Sequence, residues 1–499
     1  MSRKVVVIGS GIGGLASAIR LATAGYNVEI FEKNSFFGGK IGEYRTNGYR
    51  FDMGPSLLTL PELINELFRI AGENPEQYIV FEKLDLSCRY FYNDGSIINA
   101  YANRDLFLDE IRRKTTARPI DVESLLKKAG ELYDLTANVF IFSPFQKLHT
   151  LLTPEAKNLA RKFYKLDAFT TLHHRNQKSL RDAKLVQLFD RYATYNGSNP
   201  FEAPATLKII PHLEHNLGAF QPKGGMYELV KALIRLTEKL DIRIHYNSLV
   251  DEVFVNHGCV TGIRCNNRKI DCDIVISNTD INTFYTKLLQ NKELPFRLKH
   301  QELSSSAIIF YWGLKNNYPE LDVHNIFFSE NYREEFHTIF KTKTIYHDPT
   351  VYLYISSKCN PSDAPANCEN WFVMINTPHN IGQDWNVLRE LLRKFIIQKI
   401  NRILSTDLEK YIELEEYLDP ERIERYTNSY RGALYGPSSN SKFSAFYRHA
   451  NHSNKIKGLY FVGGSVHPGG GIPLCLASAK IVSKLIEEDF GTKGNSSTQ

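Results

Sequence analysis

Two glycine-rich segments, one at each end of this 499-residue chain, constrain its fold more than any other feature. The first follows an apolar run at residues 5–8 and leads into an alanine- and leucine-rich stretch with a helical pattern. A strand, a glycine turn and a helix in this order form a G-x-G-x-x-G motif, here at Gly9, Gly11 and Gly14. Free N–H groups at the start of such a helix bind a pyrophosphate. The segment therefore predicts an α/β nucleotide-binding fold.

A carboxylate stands where the second strand of such a fold ends. Glu32 closes the strand-like run 26–32 and follows Gly14 by roughly the 20 residues that separate the motif from its ribose-binding acid. A carboxylate there binds a ribose hydroxyl and repels a 2′-phosphate, which argues against NADP. A second glycine pair with a cation, Gly38, Gly39 and Lys40, comes soon after it.

The second glycine-rich segment begins after the apolar run 459–462. Gly464 and Ser465 follow that run, three more glycines end at Gly471, and a helical pattern continues to residue 486. A second helix start on the same sheet suits the ribityl and phosphate part of a long cofactor. Two such elements so far apart in sequence predict FAD rather than NAD.

Composition is that of an ordinary globular protein, with 42% hydrophobic and 23% charged residues. The seven cysteines are scattered and match neither a disulfide framework nor a zinc pattern, so we expect no metal. The first strand starts almost at once, leaving no room for a signal peptide, and we expect a cytoplasmic protein. No nucleic-acid-binding motif accompanies the basic residues.

Positive charge is concentrated at residues 145–178, where seven Lys and Arg stand against two acids. Leucines and aromatic residues alternate with them. Such a pattern is typical of a helix on an anionic membrane surface, and equally of the solvated face of a buried helix. The sequence leaves both interpretations open.

The pattern along the chain predicts a discontinuous α/β protein. We expect a Rossmann-like nucleotide-binding domain into which an α+β substrate domain is inserted, and a mostly helical, membrane-facing segment. Within the inserted part, strands are expected at 307–314, 351–355 and 371–375, and helices at 387–400 and 407–417. The predicted boundaries are 1–82, 220–285 and 441–499 for the nucleotide domain, 83–103, 190–219 and 286–440 for the substrate domain, and 104–189 for the helical lid or membrane segment.

Beyond the glycine segments, several motifs support a family resemblance that runs nearly end to end: residues 51–56, 222–226, 277–278, 432–436 and 461–473. With them the chain resembles bacterial carotenoid desaturases of the phytoene desaturase type, in the FAD-dependent amine-oxidase-like superfamily. The stretch 189–200 is most similar to the hydroxycarotenoid and methoxyneurosporene 3,4-desaturases. One departure is Lys40, where the family usually has Arg; lysine keeps the charge without the forked, two-point contact.

The resemblance implies which residues bind FAD and carotenoid. His467 is the one catalytic candidate, and the alternative is a structural role as a helix-entry residue; no other catalytic residue is identified. The implied cofactor-binding residues are Gly9, Gly11, Gly13, Gly14, Glu32, Lys33, Gly39, Lys40, Val250, Gly464, Ser465, Gly471, Ile472 and Pro473. The substrate-tunnel candidates are Phe163, Tyr192 and Tyr195, with Phe140, Phe142 and Phe310 as further aromatic candidates.

The implied reaction is FAD-dependent formation of a carbon–carbon double bond by hydride transfer to flavin. The expected substrate is a 1-hydroxycarotenoid, such as 1′-hydroxy-γ-carotene, oxidised at its 3,4 bond by an enzyme peripherally bound at the inner face of the cell membrane. Four alternatives remain open: a phytoene or dehydrosqualene desaturase, a redox-neutral carotenoid isomerase or cyclase, a prenyl-lipid binding protein of the same fold, and an amine oxidase.

Overall fold

The computed structural model describes residues 3–144, 147, 152–289, 294–441 and 447–491. Strands and helices in these ranges are numbered here in chain order. The strands are β1 Lys4–Ile8, β2 Asn27–Phe31, β3 Gly42–Thr46, β4 Tyr49–Met53, β5 Phe81–Lys83, β6 Leu86–Phe91, β7 Ile97–Tyr101, β8 Phe220–Pro222, β9 Arg243–His245, β10 Val250–Asn256, β11 Cys259–Cys265, β12 Arg268–Asp271, β13 Ile274–Ser277, β14 Ser306–Leu314, β15 His324–Phe327, β16 Val351–Tyr354, β17 Glu369–Thr377, β18 Ile412–Leu418 and β19 Leu459–Phe461.

Short 3₁₀ and π turns join many of these elements to the helices. The α-helices are α1 Ile12–Thr23, α2 Glu62–Ile70, α3 Arg104–Lys114, α4 Pro119–Thr136, α5 Pro154–Arg161, α6 Leu172–Leu180, α7 Ala183–Asp190, α8 Ile209–Pro211, α9 Tyr227–Lys239, α10 Ile281–Thr283, α11 Phe296–Lys299, α12 Tyr332–His337, α13 Trp385–Leu404, α14 Pro420–Thr427 and α15 Ile472–Phe490.

A five-stranded parallel sheet joins the two ends of the chain. Its order is β19-β13-β1-β2-β9, so the strand before the first glycine turn and the strand before the last are separated only by β13. Helices α1, α9 and α15 pack with it in one apolar core. Because all its strands are parallel, their carboxyl ends meet at one edge, which is where such sheets bind ligands. The predicted α/β fold is confirmed.

A seven-stranded mixed sheet, β18-β14-β17-β16-β15-β6-β7, forms the second large unit. One row of directly paired residues crosses six of its strands on a single face: Leu418, Ile309, Met374, Tyr352, Ile326 and Tyr90. Its other face packs on helix α13 through a separate apolar core. The strands predicted at 307–314, 351–355 and 371–375 all lie in this sheet.

One element differs from its prediction. Residues 407–417 were expected to be helical, but a 3₁₀ turn at Leu408–Tyr411 leads into strand β18, Ile412–Leu418. The strand pairs with β14 at the edge of the large sheet. The helix-favouring leucine and glutamate content is overridden here because residues 412–418 pair with β14, a long-range interaction that outweighs local propensity. The helix expected at 387–400 is present as part of α13.

Helices dominate the chain from α3 to α8, as the sequence predicted. Within the described ranges, no helix combines the length and the apolar character needed to cross a bilayer. The domain boundaries given above remain a prediction.

A buried ion network ties the first unit to the second. Arg50 donates to Asp52 at 2.5 Å and to Asp363 at 3.0 Å, and all three residues are almost fully buried. Asp52 also accepts the backbone N–H groups of Met226 and Tyr227 at 3.0 and 3.1 Å, which caps helix α9. Asp52, within the family motif 51–56, therefore has a structural role as cap and ion-pair partner.

Replacing Arg50 tests how far the fold depends on this network. Arg50→Gln leaves two buried carboxylates near each other without a cation, so we expect a loss of about 3–5 kcal/mol in the free energy of unfolding. The control Arg69→Gln removes the exposed partner of Glu62 and should change it by less than about 0.5 kcal/mol. Urea titration followed by circular dichroism measures both, and equal effects would contradict the prediction.

Candidate active site

A cavity of about 1020 Å³ runs from the carboxyl edge of the parallel sheet to the face of the seven-stranded sheet opposite α13. Thirteen of the fourteen cofactor-binding residues implied by the sequence line it. These are Gly9, Gly11, Gly13, Glu32, Lys33, Gly39, Lys40, Val250, Gly464, Ser465, Gly471, Ile472 and Pro473. Gly14 is the exception: it lies behind the wall, where a Cβ would stand 2.1 Å from the carbonyl oxygen of Gly9.

The two glycine-rich segments touch each other beside this cavity. A Cβ on Gly13 would lie 3.1 Å from the backbone nitrogen of Gly463, and one on Gly11 only 2.6 Å from Nδ2 of Asn278. Asn278 directly follows strand β13, which lies between β1 and β19. Glycine is required at these positions because the backbones and the Asn278 amide leave no room for a side chain.

Two helices that start at the cavity, α1 and α15, lack a side-chain N-cap. Helix α1 follows Gly11 and helix α15 follows Gly471, and neither has an acidic residue in its first turn. Many other helices are capped by a side chain, for example α5 by Thr153 and α7 by Asp182. The first N–H groups of α1 and α15 thus remain available at the cavity wall, and helix dipoles favour an anion there.

Glu32 is fixed at the end of strand β2 by the loop that starts helix α1. Its Oε2 accepts hydrogen bonds from the backbone N–H and the hydroxyl of Ser10 at 2.9 and 2.8 Å, and its Oε1 accepts from the N–H of Asn34 at 2.9 Å. A carboxylate has about four acceptor positions, so it can still accept from a ribose hydroxyl.

Two lysines contribute positive charge to the cavity wall. Lys40 donates to the carbonyl of Leu434, and burial lowers the pKa of its ammonium while nearby Asp280 opposes that shift. Lys33 donates to the carbonyl of Arg425 at 2.7 Å and to Asn428 at 2.9 Å. Burial also lowers the pKa of Lys33. Both lysines connect the nucleotide-facing loops to segment 425–434.

These residues fit a flavin dinucleotide. Glycine backbones that leave no room for a Cβ, two uncapped helix starts and a positioned carboxylate match a pyrophosphate and a ribose. Val250 begins strand β10 at the same wall, where its backbone can meet the adenine.

The structure places His467 outside the cavity lining. The residue is 2% exposed, and its Nε2 lies 3.0 Å from the carbonyl oxygen of Ser143. Burial lowers the pKa of the imidazole to about 4. This contact joins the loop before helix α15 to the helical segment, which favours the structural role over the catalytic one.

The tunnel candidates separate into two groups. Tyr195 lines the cavity, and Tyr192 lies behind it with its hydroxyl 2.9 Å from Glu214. The expectation fails for Phe163, which is 42% exposed on the protein surface, since helix α5 and the turn after it pack on α4 away from the cavity. It also fails for Phe310, which faces α13 because alternate residues of a strand point to opposite sides of a sheet.

Phe140 and Phe142 also lie away from this cavity, in two small apolar clusters of the helical segment. The cavity wall opposite the nucleotide end is instead built by one face of the large sheet. Its lining residues there include Ile309, Ile326, Phe372, Met374 and Leu418.

Sequence reasoning did not assign several residues to the site. Asn278 belongs to the motif 277–278 named above, and Asp280 follows it; both lie after the carboxyl end of β13, a position that could have marked them. Arg448 does not line the cavity, but it is buried and donates to the carbonyls of Gly464 and Pro437 at 3.1 and 2.8 Å, which supports the second glycine-rich segment. Burial lowers its pKa to about 10. Glu214 and His324 also line the cavity, and only the tertiary structure brings them there.

Comparison with known proteins agrees with this geometry. The model of the flavin-containing amine oxidoreductases matches residues 12–486, and the chain belongs to that family. A 1-hydroxycarotenoid 3,4-desaturase of a Flavobacterium species is 45% identical over 97% of this chain and 99% of its own length. A 4,4′-diapolycopene oxygenase of a Methylomonas species is 31% identical over 98% of this chain and 99% of its own.

Among solved structures, an oxidoreductase from Methanosarcina mazei superposes with a TM-score of 0.63 over 96% of this chain and 100% of its own, at 15% identity. That similarity concerns the fold alone. The family assignment and the site together identify a flavin-dependent oxidoreductase.

Removing the charge of Glu32 should weaken FAD binding. Glu32→Gln keeps the shape of the side chain, and losing one charge-assisted hydrogen bond to ribose should raise the dissociation constant for FAD about 10- to 100-fold. The control is Glu29→Gln on the same strand, where the native carboxylate pairs with Lys4 and His245 and does not line the cavity. Quenching of flavin fluorescence measures both constants, and equal weakening would contradict the assignment.

Proposed function

We propose that this protein is an FAD-dependent carotenoid desaturase that forms the 3,4 double bond of a 1-hydroxycarotenoid. The observation that carries the proposal is the continuity of the cavity, which passes from the nucleotide-binding loops to an apolar sheet face. The similarity to a 1-hydroxycarotenoid 3,4-desaturase over nearly the whole chain supports the same substrate class.

The sheet face suits a long polyene. At about 4.8 Å between strands, the row from Leu418 to Tyr90 spans on the order of 24 Å. A carotenoid offers few polar groups, so its binding energy comes from burial at about 0.8 kcal/mol per CH₂. Ile309, Met374 and Leu418 would position the chain and exclude water. Bound flavin supplies the redox chemistry as the acceptor of a hydride.

We propose that the five-stranded and seven-stranded sheets belong to the nucleotide domain and the substrate domain predicted from the sequence. Residues 1–82, 220–285 and 441–499 would bind the flavin, and 83–103, 190–219 and 286–440 the carotenoid. In support, the described part of the first set contains all five strands of the parallel sheet, and the second contains all seven of the mixed sheet.

The change in product mass tests the reaction. The FAD-loaded protein, given a 1-hydroxycarotenoid and a quinone or oxygen, should yield a product lighter by two hydrogens and absorbing at longer wavelength. An oxygenase would add oxygen, and an isomerase would leave the mass unchanged and need no electron acceptor. Phytoene, supplied separately, should react more slowly. Faster reaction of phytoene, or any of the other mass changes, would overturn the proposal.

We further propose that residues 152–178 dock on an anionic membrane surface. The segment exposes Leu152, Phe163, Tyr164 and Phe169, of which three are more than 60% exposed. Lys157, Arg161 and Lys162 are exposed beside them, and within the described residues none of the three takes part in an ion pair. Aromatic and basic side chains together favour the anionic cytoplasmic leaflet. Part of the basic segment, residues 145–146 and 148–151, lies outside the described residues.

The membrane contact predicts a specific loss of vesicle binding. The triple variant Phe163→Ser, Tyr164→Ser and Phe169→Ser removes aromatic surface, so binding to phosphatidylglycerol vesicles should fall at least about tenfold. The control, Ile381→Ser with Val387→Ser, changes two exposed apolar residues elsewhere. Sedimentation with vesicles measures both, and unchanged binding of the triple variant would refute the docking surface.

A further inference from the structure

A group of buried polar side chains lies at the β6–β15 end of the cavity. We call Ser87, Arg191, Tyr195, Glu214 and His324 the polar cluster; all five line the cavity. Ser87, Glu214 and His324 are at most 1% exposed. The cluster therefore gathers several buried polar groups at one end of the cavity.

Part of the cluster is internally neutralised. Arg191 Nη2 lies 3.2 Å from Oε1 of Glu214, and the hydroxyl of Tyr195 donates to Oε2 of the same carboxylate. Burial by itself would raise the pKa of Glu214, but Arg191 lowers it overall. The guanidinium also lies over the rings of Tyr192 and Tyr195, at 4.5 and 5.4 Å. These contacts hold the ion pair rigidly against the cavity.

Three other polar atoms of the cluster have no hydrogen-bond partner among the described residues. They are Ser87 Oγ, Arg191 Nε and His324 Nε2. Buried polar groups are nearly always paired in native proteins, and an unpaired group at a cavity wall indicates a ligand atom that completes it. Since all three residues line the same cavity, we expect the ligand to be polar at this end.

His324 connects the cluster to the turn after strand β4. Its Nδ1 is 2.7 Å from the hydroxyl of Tyr352, which lies 2.5 Å from Oγ of Ser56. Burial lowers the pKa of His324 to about 3, so the ring is neutral and carries one N–H. Its Nε2 can therefore donate or accept, depending on which nitrogen holds the proton.

We infer that the polar cluster binds the hydroxyl group of the substrate and so selects hydroxylated over unhydroxylated carotenoids. This inference rests on the proposed function. An alcohol has one O–H donor and two acceptor lone pairs. It can accept from Arg191 Nε, and Ser87 Oγ and His324 Nε2 can each donate to it or accept from it. Two polar residues elsewhere on this face, Asn376 and Glu416, already have protein partners: Asn376 accepts from Ser305 and Glu416 accepts from Arg422. The cluster would thereby fix which end of the polyene enters and how far.

Selection of this kind works mainly by rejection. A carotenoid without the hydroxyl would expel water from this end of the cavity and leave the buried polar atoms unpaired. Sites built to bind a substrate hydroxyl can reject the analogue that lacks it by a factor of about 10⁴. Purely apolar differences between substrates give far smaller ratios.

His324→Phe is the decisive variant. It keeps a flat ring for stacking on Tyr354, leaves the hydrogen bond between Tyr352 and Ser56 in place, and removes both ring nitrogens. Replacing Arg191 is a poorer test, because it would leave Glu214 as a buried charge without its cation. The matched control is His379→Phe, at a second buried histidine that does not line the cavity.

Two measurements on the FAD-loaded protein decide the outcome. For His324→Phe, kcat/KM with a 1-hydroxycarotenoid should fall about 10- to 100-fold while kcat/KM with the unhydroxylated carotenoid stays the same or rises. His379→Phe should leave the ratio of kcat/KM for the hydroxylated to that for the unhydroxylated carotenoid unchanged. If His324→Phe also leaves this ratio unchanged, because kcat/KM falls equally for both substrates or for neither, the inference is overturned. Damage to the fold would affect both substrates alike.

Equilibrium binding separates this inference from the proposed reaction. The dithionite-reduced, FAD-loaded protein cannot oxidise substrate, and the absorption of bound carotenoid reports its affinity. We expect wild type to prefer the hydroxylated carotenoid and His324→Phe to lose that preference. If wild type binds the hydroxylated carotenoid more tightly but does not oxidise it, the proposed desaturation alone is contradicted. If wild type oxidises its substrate but binds both carotenoids equally well, hydroxyl recognition alone is contradicted.

Discussion

The close approach of the two ends of the chain around Asn278 is the constraint on which the rest of the site depends. Gly11, Gly13 and Gly463 leave no space beside this side chain, so helix α1 and the loop after β19 meet with their backbones in near contact. That contact needs the strand order β19-β13-β1, which places β13 and its Asn278 between the two glycine segments. The uncapped starts of α1 and α15 then face one cavity, and together they suit a cofactor as long as FAD.

The second half of the site follows from how the large sheet meets this nucleotide end. The buried network of Arg50, Asp52 and Asp363 connects strand β4 to the segment before β17 and at the same time caps helix α9. The sheet face beyond it carries apolar residues such as Ile309, Met374 and Leu418, and polar residues at β6 and β15. One cavity thus joins a nucleotide-binding edge to this sheet face. The continuity of the cavity supports a flavin-dependent enzyme for a long lipid.

Local patterns in the sequence point to residues that the structure brings together at one end of the cavity. Glycine turns between a buried strand and a helix, with Glu32 at the next strand end, depend on short-range geometry, and thirteen of the fourteen implied residues line the cavity. The substrate end was predicted less well. Phe163 and Phe310 are aromatic like many tunnel residues, but one is on the surface and the other faces α13, and aromaticity alone cannot distinguish a core from a cavity. The helix expected at 407–417 failed because pairing with β14 is a long-range interaction.

The sequence by itself indicated the α/β class, the two glycine-rich segments and the family resemblance, because each rests on motifs whose own residues are close together in the chain. Only the tertiary structure decided that Arg191, Glu214 and His324 share one wall with the apolar face of the sheet. Arg191 directly follows helix α7, Glu214 lies in the π turn after helix α8, and His324 begins strand β15, so no local pattern connects them. Their chemistry comes from burial and from unpaired atoms at a cavity, and both are properties of the packed chain rather than of any segment of it.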